Sequence, residues 1–264
     1  MYSFYKKKKK KTYLQHQEEF NNFKKQIVVS RYSEDISWIN DKEYERYNIL
    51  CYNKGKSLPE CRNCIIKFIP NVGRCDHTYI YHIVNNYDNL ADVTIFLPGS
   101  CMDSHKKDFT QTLLRYVNST NDTVLLGKVY DTNIKDYLYN FVMEKYQMRN
   151  IDNNKMNNLN DTMLSSIRPF GLWYHHFFDE LDTRMVCYYG ILAVSRDDIL
   201  SRPKSFYEEI LNHLSVGDNL EAGHYLERSW GAIFRPKKTC IYPYEYPHPV
   251  KSFAKRSWLK KVNN

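Results

Sequence analysis

The first residues that could do chemistry form a turn at positions 71–76, between an apolar run and a helical pattern. Gly73 would let the backbone approach a ligand closely, and the free N–H groups of the following helix would attract an anion. The guanidinium of Arg74 suits a phosphate group. We therefore expect Asn71, Gly73, Arg74 and Asp76 to bind a phosphate or pyrophosphate. The alternative is a turn glycine beside a surface arginine.

A second loop with similar chemistry follows another apolar run, at residues 98–107. Pro98 and Gly99 direct the chain sharply, and His105 and Lys106 could contact a diphosphate. We expect Gly99, His105 and Lys106 to complete the same anion site. The alternative is an ordinary solvated loop.

The third candidate is a helix at residues 220–234. On a helical wheel, Leu226 and Trp230 lie on one face, whereas the opposite face carries the charged groups Glu221, His224 and Arg228, with Glu227 at the boundary. A carboxylate beside His or Arg is a candidate general base. Either Glu221 or Glu227 could serve, with His224 and Arg228 setting its pKa. The alternative is an amphipathic helix with ordinary surface ion pairs.

An aromatic segment at residues 169–180 offers a different chemistry. Aromatic rings stack on sugar faces, and nearby polar groups bind hydroxyls. We expect Trp173, Tyr174, His175 and His176 to line such a surface. The alternative is that these aromatic residues belong to the core.

The cysteines allow a metal site. Cys61, Cys64, Cys75 and His77 follow a C-x2-C-x10-C-x-H pattern, which would suit zinc if the four side chains converged. The sequence contains no Asp-x-Asp, and Glu180 with Asp182 is the nearest approach to it. We therefore predict no protein-ligated metal at the anion site.

The elements that must position these residues alternate between strands and helices. Apolar β-branched runs predict strands, and helical spacing of apolar residues predicts helices. The order predicts a single α/β domain with a central, mostly parallel sheet flanked by helices, in which ligands bind at the carboxyl ends of the strands. The predicted strands are 26–31, 47–52, 64–69, 93–97, 123–129 and 185–194, and the predicted helices are 33–39, 76–87, 109–117, 134–146, 205–214 and 220–234.

Charge and composition separate the ends from the centre. The net charge of +8 is concentrated in a lysine run at residues 6–11 and in the last stretch of the chain. We expect a basic tail at 1–25, a folded domain at 26–240, an exposed Asn-rich loop at 148–161, and a proline-rich and basic tail at 241–264. No apolar stretch long enough to span a membrane and no signal peptide are evident, and seven scattered cysteines favour a reducing compartment. A cytoplasmic location is the expectation.

As a set, these blocks resemble a family of uncharacterised proteins of fungi and large DNA viruses (DUF3431-like), which has no established reaction. If the chain is viral, the location would be the host cytoplasm or a viral factory. The resemblance covers roughly residues 27–235, and its elements are 29–32 with Trp38, 70–74, 78–90, the Phe96 strand, 190–196 and 224–230.

A remoter similarity suggests chemistry. The rhamnan-synthesis type of bacterial glycosyltransferase has an Asn-x-Gly-Arg-acidic turn before a helix, a Tyr-Asp pair before a strand, and a late His-x-x-Glu-Arg helix. Residues 71–74, Tyr87 with Asp88, and 224–228 are similar to these three motifs. This chain departs from the pattern in having Cys75 at the acidic position, with Asp76 one place later.

That similarity implies a GT-A-like (Rossmann-like) fold and a glycosyltransferase. Residues of the two loops would bind the nucleotide-sugar donor, the 220–234 helix would supply catalytic groups, and the aromatic segment would hold a glycan or protein acceptor. Mn²⁺ or Mg²⁺ is a candidate cofactor, although the missing Asp-x-Asp favours a metal-independent reaction. A second hypothesis is a non-catalytic binding protein of the same fold whose basic tails contact nucleic acid or anionic glycan.

Overall fold

A sheet of eight strands organises the computed structural model, which describes residues 24–143, 163–179, 183–217, 220–235 and 240–243. Apolar β-branched runs form its central strands, as their sequence predicts. The strands are β1 (Lys25–Arg31), β2 (Asn48–Asn53), β3 (Cys64–Phe68), β4 (Val93–Pro98), β5 (Val124–Val129), β6 (Met185–Val186), β7 (Leu192–Ser195) and β8 (Cys240–Pro243).

The strand order is β3-β2-β1-β4-β7-β5-β6, with β8 also paired to β5. Strands β3, β2, β1 and β4 are mutually parallel, and β8 runs parallel to β5. Strand β7 runs antiparallel to both of its neighbours, and β6 is antiparallel to β5. The chain moves outward from β1 to β2 and β3, then returns to place β4 on the other side of β1. The carboxyl ends of β1 and β4 therefore flank a topological switch point, where open α/β sheets bind ligands.

Helices cover both faces of this sheet. They are α1 (Arg74–Asn86), α2 (Lys107–Val117), α3 (Ile134–Tyr137), α4 (Phe170–Phe178), α5 (Arg196–Leu200), α6 (Lys204–Leu214), α7 (Glu221–Glu227) and α8 (Trp230–Phe234). Within the described residues, no helix is long and apolar enough to cross a membrane.

Alternation along the central strands divides the core into two layers. Val28 packs with α1, α4, α6 and α7 on one face, whereas Ile27 and Val29 pack with α2 on the other. Strand β4 repeats this pattern with Phe96 on the first face. All five residues of the run 27–31 are buried, as expected for a central parallel strand covered on both sides. The α/β prediction, with a sheet that is parallel at one edge and flanked by helices, is confirmed.

Several predicted elements differ from the observed ones. The apolar region 185–194 is two strands, β6 and β7, because Tyr189 and Gly190 adopt positive φ angles of 73° and 63° between them. The predicted helix 134–146 ends at Tyr137, and the predicted helix at 33–39 is a 3-10 helix at Ser37–Asn40.

The folded domain extends slightly beyond both of its expected ends. Tyr242 and Pro243 lie in β8, so regular structure continues into the proline-rich segment and across the expected boundary at 240. At the other end, Lys24 is already described and Lys25 opens β1. Most of the two basic tails and the Asn-rich loop at 148–161 lie outside the described residues.

Candidate functional site

Charged side chains gather at the carboxyl ends of β1, β2 and β4. Lys54 follows β2, Arg74 and Asp76 open α1, Lys106 precedes α2, and Glu227 ends α7. These residues are close enough to influence one another electrostatically. The charges of Glu227, Arg74 and Lys54 all shift the pKa of Asp76, and the charge of Lys106 shifts the pKa of the neighbouring Cys75. These five residues are called the carboxyl-edge site below. The first and third candidate blocks of the sequence therefore do meet, through the packing of α1 on α7.

The turn before α1 has a left-handed backbone at two successive residues, Gly73 (φ 55°) and Arg74 (φ 50°). A Cβ on Gly73 would lie 2.5 Å from the carbonyl oxygen of Leu214, and the Gly73 N–H donates to the Gly217 carbonyl at 2.6 Å. Close packing on the end of α6 therefore requires this glycine, which corrects the expectation that it makes room for a ligand. Left-handed Arg74 is a strained conformation, of the kind that concentrates at functional sites. Asn71 is exposed on the same turn.

Asp76 is a buried carboxyl in the first turn of α1, only 5% exposed. Burial, and secondly the charge of Glu227, raise its pKa to about 8, so the carboxyl is protonated at neutral pH. Its Oδ1 has no hydrogen-bond partner among the residues that the structure describes. Gly223 on α7 faces it: a Cβ there would lie 3.7 Å from Asp76 Oδ2. A buried, incompletely bonded carboxyl of raised pKa is a candidate acid or base.

Lys54 is a member of the site that the sequence did not indicate. Its ammonium donates to the carbonyl oxygen of Val72 at 2.6 Å and to that of Arg74, so it ties the end of β2 to the turn before α1. Burial lowers its pKa to about 8. The sequence signal that could have identified Lys54 as a site residue is its position directly after a buried apolar strand and before Gly55, and this signal is weak.

The predicted helix 220–234 is two helices, α7 and α8, interrupted at Arg228 and Ser229. Both faces are buried, which overturns the expectation of a polar face opposite Trp230: His224 is 8% exposed and Arg228 3%. Burial, then Arg74 and Arg228, lower the pKa of His224 to about 3, so its imidazole is neutral. The Arg228 guanidinium stacks 4.2 Å from the ring centroid of Phe141.

Glu221 does not fit the role of a catalytic base. Its side chain is fully buried, and its two oxygens accept the backbone N–H groups of Met143 at 3.0 Å and Ser165 at 2.9 Å. Arg168 adds an ion pair, with Nε 3.0 Å from Oε2. With its lone pairs engaged in this way, the carboxylate holds three segments of chain together. We therefore correct its assignment from catalytic to structural.

Glu227 is the carboxylate that remains open to the site. Its side chain is 25% exposed, and its Oε2 lies 3.6 Å from Nη1 of Arg228. Its Oε1 accepts the N–H of Tyr189 at 3.0 Å. Tyr189 has a positive φ angle between β6 and β7, so a second strained residue lies beside the site. Of the two carboxylates that the sequence left open, geometry favours Glu227.

The loop after β4 contributes Lys106 from one side. Its ammonium donates to the Ser100 hydroxyl at 2.6 Å, and its charge reaches Cys75. His105 is exposed and packs edge-on against the ring of Tyr189 at 5.8 Å. Gly99 is buried, and a Cβ there would lie 3.0 Å from the Glu34 side chain, so this glycine makes room for Glu34. Its expected contact with a ligand is not supported.

Of the four residues predicted to bind the acceptor, all on α4, two are buried and two are exposed. Trp173 and Tyr174 are buried at 1% and 0% exposure and stack within an aromatic cluster, so they present no face to a sugar. This corrects the interpretation of these two residues, because the inward face of α4 packs against α7. His175 and His176 are exposed, and His176 contacts Glu209 rather than the carboxyl-edge site.

The cysteine pattern does not form the predicted zinc site. Cys61 and Cys64 are joined by a disulfide bond, and Cys75 is a free thiol in α1. Cys51, Cys101 and Cys187 are also free thiols, whereas the disulfide between Cys61 and Cys64 is not what a reducing compartment favours. Within the described residues, no trio of His, Cys, Asp or Glu ligand atoms within 4.8 Å of one another lies at the carboxyl edge.

Two cavities open elsewhere on the surface. One of about 610 Å³ lies at the opposite, amino-terminal edge and is lined by Lys24, Lys25, Arg46 and Arg196, among others. Its cations are partly engaged already, since Lys25 donates to the Val117 carbonyl and Arg196 pairs with Asp92 at 2.7 Å. The other, of about 270 Å³, lies between α6 and the segment 163–166. The unpartnered Oδ1 of Asp76 and the strained backbone of Arg74 and Tyr189 distinguish the carboxyl-edge site from these cavities.

Comparison with known proteins identifies the family. A family model described as "Protein of unknown function (DUF3431)" matches residues 27–246, and the chain belongs to this family. No curated protein matches the sequence.

Proposed function

We propose that this member of the family transfers a sugar from a nucleotide-sugar donor to a hydroxyl group of a glycan or protein acceptor. One observation carries the proposal: the carboxyl groups of Asp76 and Glu227 lie together at the switch point of the sheet, among three cations, and the charge of Glu227 raises the pKa of Asp76. Two carboxyl groups with different environments suit proton transfer, and cations at strand ends suit a diphosphate.

The cations would receive the leaving group. Arg74 and Lys106 approach from the loops after β3 and β4, and Lys54 lies behind the first of these loops. As the bond from the anomeric carbon to the diphosphate breaks, negative charge develops on the diphosphate oxygens. Positive groups held in place before the reaction stabilise that charge without reorganisation. Exposed His105 would contact the outer part of the donor.

Glu227 would act as the general base. It would take the proton of the acceptor hydroxyl as that oxygen attacks the anomeric carbon. Asp76, protonated at neutral pH, would not repel the diphosphate of the donor. Neutral His224 and the guanidinium of Arg228 shape the wall behind Glu227.

The donor set favours a reaction without a divalent ion. One or two carboxylates, together with the substrate phosphates, usually hold a Mg²⁺ ion, whereas the carboxyl-edge site offers one protonated carboxyl, one carboxylate and three cations that repel it. We expect transfer to continue in the presence of a chelator. A strict requirement for Mn²⁺ or Mg²⁺ would contradict this part of the proposal.

The first experiment is a thermal-shift screen of the full chain with nucleotide sugars and free nucleotides. A ligand that binds only the folded state must raise the melting temperature. Lys106→Met should reduce that rise, whereas the exposed neighbour Lys107, changed to Met as a matched control, should leave it intact. If no nucleotide sugar shifts the melting temperature, the assignment is wrong.

Catalysis is tested separately with Glu227→Gln. This variant should bind the donor with near-normal affinity and lose roughly 10²- to 10⁴-fold in turnover, the contribution of a positioned base. Full turnover in Glu227→Gln would exclude the mechanism even if the donor binds. The alternative of a non-catalytic protein that acts through its basic tails concerns residues outside the described ranges, and it stays a prediction.

A further inference from the structure

Three metal-ligating side chains converge on the outer surface, away from the carboxyl-edge site. His176 on α4 and Glu209 and His213 on α6 offer ligand atoms that all lie within 4.8 Å of one another. His176 Nε2 is 2.8 Å from Glu209 Oε1. Glu209 and His213 are four residues apart on one helix and therefore share a face.

A single ring orients both imidazoles. His176 packs edge-on against Phe177 at 4.8 Å, and His213 does the same at 5.3 Å. The two imidazole rings are 6.2 Å apart between centroids.

The spacing is close to that of a zinc site. With zinc–nitrogen bonds of about 2.0–2.1 Å, tetrahedral ligand atoms lie roughly 3.4 Å apart. Rotation of partly exposed side chains can bring atoms within 4.8 Å to that separation. An ordinary surface His–Glu pair needs no third ligand, so His213 is the residue that distinguishes a metal site from an ion pair.

We propose that His176, Glu209 and His213 bind one Zn²⁺ ion, with water in the fourth position. The ion fastens α4 to α6, two helices that come from distant parts of the chain. Two imidazoles and a carboxylate are a ligand set that zinc accepts. The site is independent of the proposed sugar transfer, because none of its residues belongs to the carboxyl-edge site.

The test is calorimetric titration of the full, untagged chain with ZnCl₂ after treatment with a chelator. One ion per chain should bind and raise the melting temperature. His176→Ala and His213→Ala should each lose this binding, and so should Glu209→Gln, which conserves size. His175→Ala is the matched control: it removes an exposed histidine next to His176 and should bind zinc normally.

Cobalt distinguishes this site from the cysteines. Co²⁺ bound by nitrogen and oxygen shows only weak d–d bands, whereas thiolate ligands add an intense charge-transfer band in the near ultraviolet. We expect the first spectrum, lost in His213→Ala. Absence of one-to-one binding, its persistence in both histidine variants, or a thiolate band would each overturn the proposal. Circular dichroism of these surface variants confirms that they are folded.

Discussion

Asp76→Asn should change how the stability of the protein depends on pH. The pKa of Asp76 rises from 3.8 to about 8 in the folded chain, first through burial and then through Glu227. The folded state therefore holds a proton that the unfolded state has released. The stabilising contribution is complete below pH 3.8 and is lost as pH rises towards 8. At about 1.36 kcal/mol for each pKa unit, the loss is of the order of 6 kcal/mol.

That amount is a large share of the 5–15 kcal/mol by which typical domains are stable, so it is measurable. Urea unfolding followed by tryptophan fluorescence, at several pH values from 5 to 9, gives the free energy of unfolding of the wild type and of Asp76→Asn. Asparagine cannot ionise, so the advantage of Asp76→Asn over the wild type should grow as the pH rises from 5 towards 8 and level off above that. Other titrating groups, such as His77, cancel in this difference. Glu227→Gln removes the second cause, so it should lower the pH at which this difference levels off and reduce the total change without abolishing it. A difference that does not vary with pH would refute the reasoning.

Three further predictions concern the same region. Glu221→Gln should lower the free energy of unfolding by about 3 kcal/mol, because it breaks the ion pair between Arg168 and the buried Glu221. Chemical unfolding measures this free energy, and a change below about 1 kcal/mol would contradict the structural role of Glu221. Gly73→Ala should destabilise by roughly 2 kcal/mol or more, since its φ is positive and its Cβ would collide with backbone. The matched control Gly223→Ala should be neutral or stabilising, because only an ordinary contact awaits its Cβ; equal melting temperatures for the two variants would be evidence against the described turn. Nucleotide-sugar binding at pH 8 should be accompanied by proton uptake, because an added anion raises the pKa of Asp76. Calorimetric titration in buffers of different ionisation enthalpy measures the number of protons exchanged, and a release of protons would contradict this prediction.

The sequence predicted the central sheet well because its signal is local. The buried run 27–31 and the strand before Pro98 are apolar, β-branched stretches, and the Gly73 turn marks the start of α1. Their parallel pairing brings the carboxyl ends together, so part of the site followed from the strand order alone. The turn between β6 and β7 escaped prediction because Tyr189 adopts a positive φ that its residue type does not suggest.

Long-range contacts account for the errors at α7. The helical wheel treated the segment as a surface helix, yet α7 packs against α1, α4 and α6 and is buried all round. The partners of Glu221 come from Met143, Ser165 and Arg168, which are distant in sequence. No periodicity reports such partners. Lys54 was missed for the same reason, because its role depends on carbonyl groups of the turn at Val72.

Asp76 and Glu221, two of the buried carboxyl groups among the described residues, illustrate why burial alone does not indicate function. Glu221 has two backbone donors and an arginine, so burying it is compensated and strengthens the structure. Asp76 is buried with a free oxygen beside a like charge, which destabilises its ionised form. A fold selected for stability alone would place an apolar side chain there. Because the strained Arg74 lies next to Asp76, the stability lost in this corner of the sheet supports the chemistry that we propose for the site.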